Sequence, residues 1–340
     1  MLEKTIVVGL THGDINGVGY EVITKVLLDD RMMEICTPLL YGSSKVASYH
    51  RKMMKNCGDF LFNIVRQPTQ LSTSKPNLLN ITETEIKVDI GKSTAIAGEM
   101  SFLALQKASE DLLNGRLDVL VTAPINKDNI KSANFPFEGH TEYIAQCCKS
   151  TNYLMMMVAG NMRIGTVTTH CALSQVSQLI TKELVKEKIK IIYESLKIDF
   201  GCTMPRIAVL SLNPHASDNG RFGKEEADII CPAIEECFDE KIPVFGPYPA
   251  DGLFGSGKYA KFDAILAMYH DQAMVPFKLL SQGKGVNFTA GLPIIRTSPA
   301  HGTAYDIAGK DIASEASMRE AIYLACDIYR NRKEYNQKLD

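Results

Sequence analysis

This chain is short of several features that mark whole classes of protein. No window reaches the ~18 consecutive apolar residues of a membrane-spanning helix, so no such span is expected. The apolar run in the opening "MLEKTIVVGLTHGD" is broken early and no small-residue cleavage site follows, so no signal peptide is expected. There is no excess of one charge. Lys and Arg number 37 against 39 Asp and Glu, a net charge of -2, which favours neither nucleic acid nor an anionic membrane as a partner. The nine cysteines are scattered, with one adjacent pair, Cys147–Cys148, and no CxxC. Most sit in apolar runs, where a thiol behaves as a small hydrophobe, and a reducing cytoplasm is the natural setting. Two nucleotide fingerprints also fail. "GDINGVG" (13–19) is spaced G-x-x-x-G-x-G rather than G-x-G-x-x-G. "GLFGSGKY" (252–259) has Tyr259 where a phosphate-binding loop needs a Ser or Thr hydroxyl for magnesium.

What is present is an ordinary globular composition, 45% apolar and 22% charged, over 340 residues. That length suits two domains, or one large domain with an insertion. Short apolar runs at 4–10, 117–124, 163–170, 206–215 and 263–269 read as strands. Between them, 19–30, 94–114, 181–197, 224–238 and 314–332 have helical period, with Thr181 an N-cap and Pro232 a kink. The polar stretch 66–80 reads as a loop. Strands alternating with helices predict an α/β fold with a largely parallel sheet. There is no internal repeat.

Parallel strands present their carboxyl ends on one edge, where ligands bind. His170, His215 and His270 each follow a strand. Three neutral imidazoles around a divalent ion, with one position open, make a catalytic metal site in which the ion acts as a Lewis acid. The competing reading is three unrelated histidines, each hydrogen-bonded in its own loop. Asp271 beside His270 suits a carboxylate that orients a ring. "EGHTEYIA" (138–145) opens a helix whose first turn, with His140 and Thr141, suits either a phosphate or carboxylate or a simple cap. Lys278, Asn287 and Arg296 form a cation-rich set fit for an anion.

Together "VTAPINK", "GHTEYIA", "TTHCALSQV", "LNPHASDNG", "PYPADGLF", "MYHDQAMVPFK" and "GVNFTAGLPIIRTSPAHGTAYDIAGK" resemble the 4-hydroxythreonine-4-phosphate dehydrogenase family of vitamin B6 biosynthesis. "HGTAYDIAGK" and "GDINGVGYEV" are similar to the adenosine-binding segment and glycine loop of isopropylmalate and isocitrate dehydrogenases. The resemblance implies a two-domain three-layer α/β sandwich with mixed, largely parallel sheets, isocitrate/isopropylmalate dehydrogenase-like. Its first domain would span 1–139 plus 280–340 and its second, carrying metal site and dimerisation, 140–279. It implies a homodimer with a shared active site, and one divalent metal (Zn²⁺ foremost, or Mg²⁺, Mn²⁺ or Co²⁺) on His170, His215 and His270, with ligands from both chains. Substrate contacts would come from His140, Thr141, Lys278, Asn287 and Arg296. NAD, with NADP as the variant, would lie along 301–310 against His301, Gly302 and Asp306, whose carboxylate would favour NAD by repelling a 2′-phosphate. The chain departs from the family in its first loop, with His12, Ile15 and Tyr20 where prolines are usual, and in the spacer "DQAMVPFK".

The implied reaction is metal- and NAD-dependent oxidation of the C3 hydroxyl of 4-phosphohydroxy-L-threonine. Its product, 2-amino-3-oxo-4-phosphonooxybutanoate, loses CO₂ to give 3-amino-2-oxopropyl phosphate, on the route to pyridoxine 5′-phosphate. Asp251, Lys278 or a hydroxide on the metal would be the base. Rival readings are a paralogue acting on D-threonate or D-erythronate 4-phosphate or on an aromatic dihydrodiol, the last disfavoured by Lys278 and Arg296, a metal-dependent hydrolase, and a phosphate-binding module without catalysis.

Overall fold

The computed structural model describes residues 5–132 and 135–338. The chain divides into two compact units, Met1–Ser150 with Pro293–Tyr329, and Thr151–Leu292 with Arg330–Asp340. In chain order the first unit holds β1 (Ile6–Thr11), β2 (Cys36–Gly42), β3 (Asn63–Val65), β4 (Asn77–Asn80) and β5 (Val119–Thr122). The second holds β6 (Leu154–Ala159), β7 (Met162–Thr166), β8 (Ile207–Leu210), β9 (Val244–Tyr248), β10 (Ala264–Ala267) and β11 (Val286–Ala290). The last strand, β12 (Arg296–Pro299), returns to the first unit.

The first unit's sheet has the order β3-β4-β2-β1-β5-β12, and every pairing is parallel. Every residue of β2 and β5 is buried, the pattern of strands covered on both faces by helices. Helices Gly19–Leu27 and Ala95–Leu113 belong to this unit. The second starts where the Thr94 hydroxyl accepts from Ala97 N, supplying one of the orphan partners of a helix start. Gly13, at φ 68°, lies so close to the β5 exit that a Cβ would fall 2.2 Å from Pro124 O. Only glycine fits there.

The second unit's sheet is mixed, ordered β11-β6-β7-β10-β8-β9. β11 and β7 flank β6 antiparallel, while β7, β10, β8 and β9 run parallel in turn. Helix Lys182–Ile198 buries Val185, Ile189, Ile192 and Leu196 completely, each side chain contributing about 1.5–3 kcal/mol by leaving water. Thr181 caps it by accepting from Leu184 N at 3.1 Å, as its sequence predicts.

The strands are shorter than the apolar runs suggest. Lys4, the first residue of the expected strand 4–10, lies outside the described residues. The run 163–170 is a strand only through Thr166, although Val167 N and Thr168 N still bond to Ala267 O and Met268 O. Residues 66–80 include β4, four residues long, too brief to show a period. The helix expected over 224–238 is a wide π turn, Glu226–Ile230, that passes into α-helix Cys231–Asp239. Pro232 has no N–H to donate, and the register changes beside it. Residues 270–281, given no element by the sequence reading, are a helix with Pro276 inside it. No helix among the described residues is long and apolar enough to cross a membrane.

Candidate active site

In the second unit β7, β10 and β8 are parallel neighbours, so their carboxyl ends share one edge. His170 leaves that edge after β7, His215 after β8, and His270 opens helix His270–Ser281 after β10. Gln272 ties two of these ends together. Its Oε1 accepts from Met268 N at 2.7 Å and its Nε2 donates to Ser211 O at 2.6 Å. The rings of His170 and His270 stand 6.3 Å apart, centroid to centroid, and both line a cavity of about 510 Å³ with Asp271. A 2.7 Å hydrogen bond joins His270 Nδ1 to Asp271 Oδ1. With Asp271 accepting, Nδ1 is the donor in this bond, and Nε2 is the ring nitrogen left to face a ligand.

His215 does not join this pair. Its backbone lies at φ 54°, within a left-handed run through Asn219, and its ring faces Phe222 at 6.3 Å. Such conformations cost ~1–3 kcal/mol each in non-glycine residues and cluster where function over-determines the chain. Glu226 anchors the approach to this run. Its buried carboxylate accepts from Leu212 N and Asn213 N at 2.8 Å and from Asn213 Nδ2 at 2.9 Å. Among the described residues no three His, Cys, Asp or Glu groups gather to hold a metal. The donor set within one chain is therefore two imidazoles, one oriented by a carboxylate. That set fits part of a divalent-ion site and leaves further ligands to come from elsewhere.

Lys278 is exposed on the helix opened by His270, about 12 Å along its axis at 1.5 Å per residue. Asn287, in β11, has a buried Oδ1 with no hydrogen-bond partner. Asp251 is exposed in the first turn of helix Ala250–Gly255.

The first unit gathers a second polar cluster. Arg296, 2% exposed in β12, donates from Nη2 and Nε to Thr122 Oγ1 at 2.7 and 3.1 Å and from Nη1 to Thr141 Oγ1 at 3.4 Å. Burial brings its pKa down to about 10, opposed by the charge of Glu142, so it remains a cation at neutral pH. Its hydrogen-bond partners are hydroxyls, and no carboxylate among the described residues pairs with it. His140 opens helix His140–Cys147, and its buried Nε2 has no partner. Burial, then the charges of Arg296 and Lys127, hold its pKa well below the usual histidine range, so the ring is neutral. A desolvated guanidinium with spare N–H groups, beside a neutral imidazole and a threonine hydroxyl, has the donor chemistry that suits an anion.

Also in the first unit, His301 shares a 2.9 Å hydrogen bond between Nδ1 and Gly302 O, and its buried Nε2 has no partner. Gly302 faces open space and Asp306 is exposed. The segment is tied to the first loop by Val18 N donating to Thr303 O at 3.0 Å. That loop's unusual residues have their own role. His12, Tyr20 and His50 stack with ring centroids 5.1 Å apart, and His50 Nε2 meets Ile15 O at 2.8 Å. Unpartnered buried atoms on His140, Asn287 and His301 thus fall on residues that the sequence assigns to ligands. Gln272 and Glu226 are missed by sequence reading, because their work is done mainly on backbone groups of another strand end, 61 residues away for Gln272 and 13 to 14 for Glu226.

Two α/β units, with polar side chains collected where parallel strands end, define the isocitrate dehydrogenase-like class. An isocitrate dehydrogenase structure from Methylococcus capsulatus superposes with a TM-score of 0.52 over 96% of this chain and 87% of its own, at 10% identity, a likeness of fold alone. The profile of the family described as pyridoxal phosphate biosynthetic protein PdxA matches residues 34–325, and the chain belongs to that family. A 4-hydroxythreonine-4-phosphate dehydrogenase from Bacteroides thetaiotaomicron is 52% identical over 334 residues, covering 98% of this chain and 91% of that protein. The crystal structure of a Klebsiella pneumoniae protein of the same name matches with a TM-score of 0.83 at 32% identity, over 97% of this chain and 99% of that one.

Proposed function

We propose that this chain oxidises the C3 hydroxyl of 4-phosphohydroxy-L-threonine with NAD, in pyridoxine 5′-phosphate biosynthesis. The observation that carries the reading is Arg296, a buried cation held by two threonine hydroxyls, in direct ion-pair contact with no carboxylate among the described residues and influenced only by the charge of Glu142 beyond that range. It supports a substrate bearing a phosphate or carboxylate, and the 52% identity to a protein named for this substrate narrows the choice. His140, being neutral, donates to an anion oxygen without adding charge, and Thr141 contributes a hydroxyl. Lys278 and Asn287 supply further polar contacts, the first a point charge and the second an amide. NAD would be held along 301–310, with the exposed Asp306 placed to accept from the adenosine ribose and His301 and Gly302 beside it, and would supply the acceptor for the C3 hydride. A divalent ion, Zn²⁺ foremost, would be held by His170 and His270 with His215, and would supply Lewis-acid polarisation of the C3 oxygen. Asp251 and Lys278 are the side chains assigned to take the hydroxyl proton. Loss of CO₂ then sends the carboxylate electrons into the new C3 carbonyl, and a proton returns at C2.

Exposed Leu173, three residues after His170, and Val275 and Leu279, on the helix opened by His270, offer apolar surface that a second copy would cover. This supports a homodimer in which ligands from two chains complete the metal set. The nine cysteines form no disulfide, which suits the cytoplasm. The test is NADH formation from synthetic 4-phosphohydroxy-L-threonine beside D-threonate and D-erythronate 4-phosphates, with metal present. Preference for the amino acid supports the reading. Preference for either aldonate phosphate replaces it with the paralogue reading, and hydrolysis without NADH replaces it with the hydrolase.

A further inference from the structure

In the first unit three chain segments meet at one buried carboxylate. Asp14 is 1% exposed. Its Oδ1 accepts from Asn16 N at 2.8 Å, which closes the loop locally. Its Oδ2 does something a local turn does not need, accepting from Asn129 Nδ2 at 2.8 Å and from the Tyr305 hydroxyl at 2.7 Å. Those donors sit in helix Lys127–Ile130 and in the segment 301–310. Alongside, Val18 N donates to Thr303 O, and Gly17 is pressed so close that a Cβ would fall 2.7 Å from the same oxygen. Burial, then the Asp14 hydrogen bond, pushes the Tyr305 pKa up to about 12, so the phenol keeps its proton and donates. No cation among the described residues pairs with Asp14. A carboxylate buried without a counter-ion is costly, and neutral donors arranged around it from distant segments are what make it tolerable.

We propose that Asp14 is a positioning residue that holds 301–310, through Tyr305, in the shape that receives the dinucleotide. It acts without touching the nucleotide. The proposal rests on the reading that this segment binds NAD. Tyr305→Phe keeps the ring and removes the hydroxyl that reaches Asp14 and also meets Asn126 and Ser93, so Asp14→Asn, which leaves those two contacts in place, is measured beside it. The NAD dissociation constant of the metal-loaded dimer, measured by titration calorimetry, is expected to rise about tenfold, the scale of one hydrogen bond to a charged group. In steady state the loss is expected in the KM for NAD rather than in kcat, with the KM for the phosphorylated substrate moving less than twofold. In nucleotide-free protein, amides of 303–308 are expected to exchange hydrogen faster than in the wild type, while those of β1 are not. Asp14→Asn should reproduce all three effects. Unchanged NAD affinity in Tyr305→Phe overturns the proposal, as does an equal loss of affinity for NAD and substrate, which would mark general loosening. A wild-type protein that binds no NAD overturns the parent reading of the segment as well, whatever the variants do.

Discussion

Arg296 gives the sharpest prediction, because its structural and functional roles pull stability in opposite directions. A guanidinium has five N–H donors, and Thr122 and Thr141 occupy three of them, one at only 3.4 Å. At least two remain for an anion. Each charge-assisted bond is worth about 1.5–3 kcal/mol, so Arg296→Met is expected to lower kcat/KM by roughly 10²–10⁴. Arg296→Lys keeps the charge but not the fork, and is expected to lose about one bond, roughly 10–100-fold. Against this stands the cost of burying the charge. Lowering the arginine pKa from its ordinary value to about 10 corresponds to about 3 kcal/mol of desolvation that folding must overcome. Removing the charge should therefore leave the protein as stable as before or raise its melting temperature by a few degrees. The assay pairs a melting curve with steady-state kinetics. Inorganic phosphate should raise the melting temperature of the wild type and not of Arg296→Met, because a ligand stabilises only the state that binds it. A variant that melts several degrees lower, with an unchanged substrate KM, would show a structural arginine and refute the anion-receptor argument.

Three further outcomes are expected. Burial holds both His12 and His50 at about 4, below the unfolded value of 6.5, so folding keeps them neutral. Their contribution is whole above the unfolded value and is lost as pH falls from 6.5 towards 4, about 3 kcal/mol each at the limit, and urea melts of His50→Phe should show a shallower decline over that window. Chelator treatment should abolish NAD reduction and Zn²⁺, Mn²⁺ or Mg²⁺ should restore it; full activity in excess chelator counts against the metal assignment. His215→Ala should remove turnover and weaken Zn²⁺ binding by calorimetry while the circular dichroism spectrum is unchanged; near-normal turnover contradicts its role.

What the sequence made legible is what depends on local chemistry. The presence of the strands, though not their ends, the helix period of 182–198 and the placement of histidines after strands all follow from short-range pattern. The helix 270–281 escaped notice because Pro276 argues against it, and its buried face of Ala273, Met274 and Phe277 is partly masked by exposed Val275 and Leu279. The left-handed run at His215 has no glycine before Gly220 to signal it, and it is anchored by Glu226, thirteen residues from Asn213. Arg296 was legible as a cation but not as a buried one. Its burial depends on β12 pairing with β5, 174 residues away at Thr122. Asp14 was invisible as a junction for the same reason, since its Oδ2 donors lie 115 and 291 residues on. The His12–Tyr20–His50 stack explains how a loop without its usual prolines is held, and only the packed structure shows it.

The central claim is tested most directly by following NADH and CO₂ together from carboxyl-labelled 4-phosphohydroxy-L-threonine under single-turnover conditions. The account predicts one NADH and one CO₂ per substrate consumed, with 3-amino-2-oxopropyl phosphate as the organic product. Release of inorganic phosphate without NADH, or no consumption while D-threonate 4-phosphate is oxidised, would contradict it.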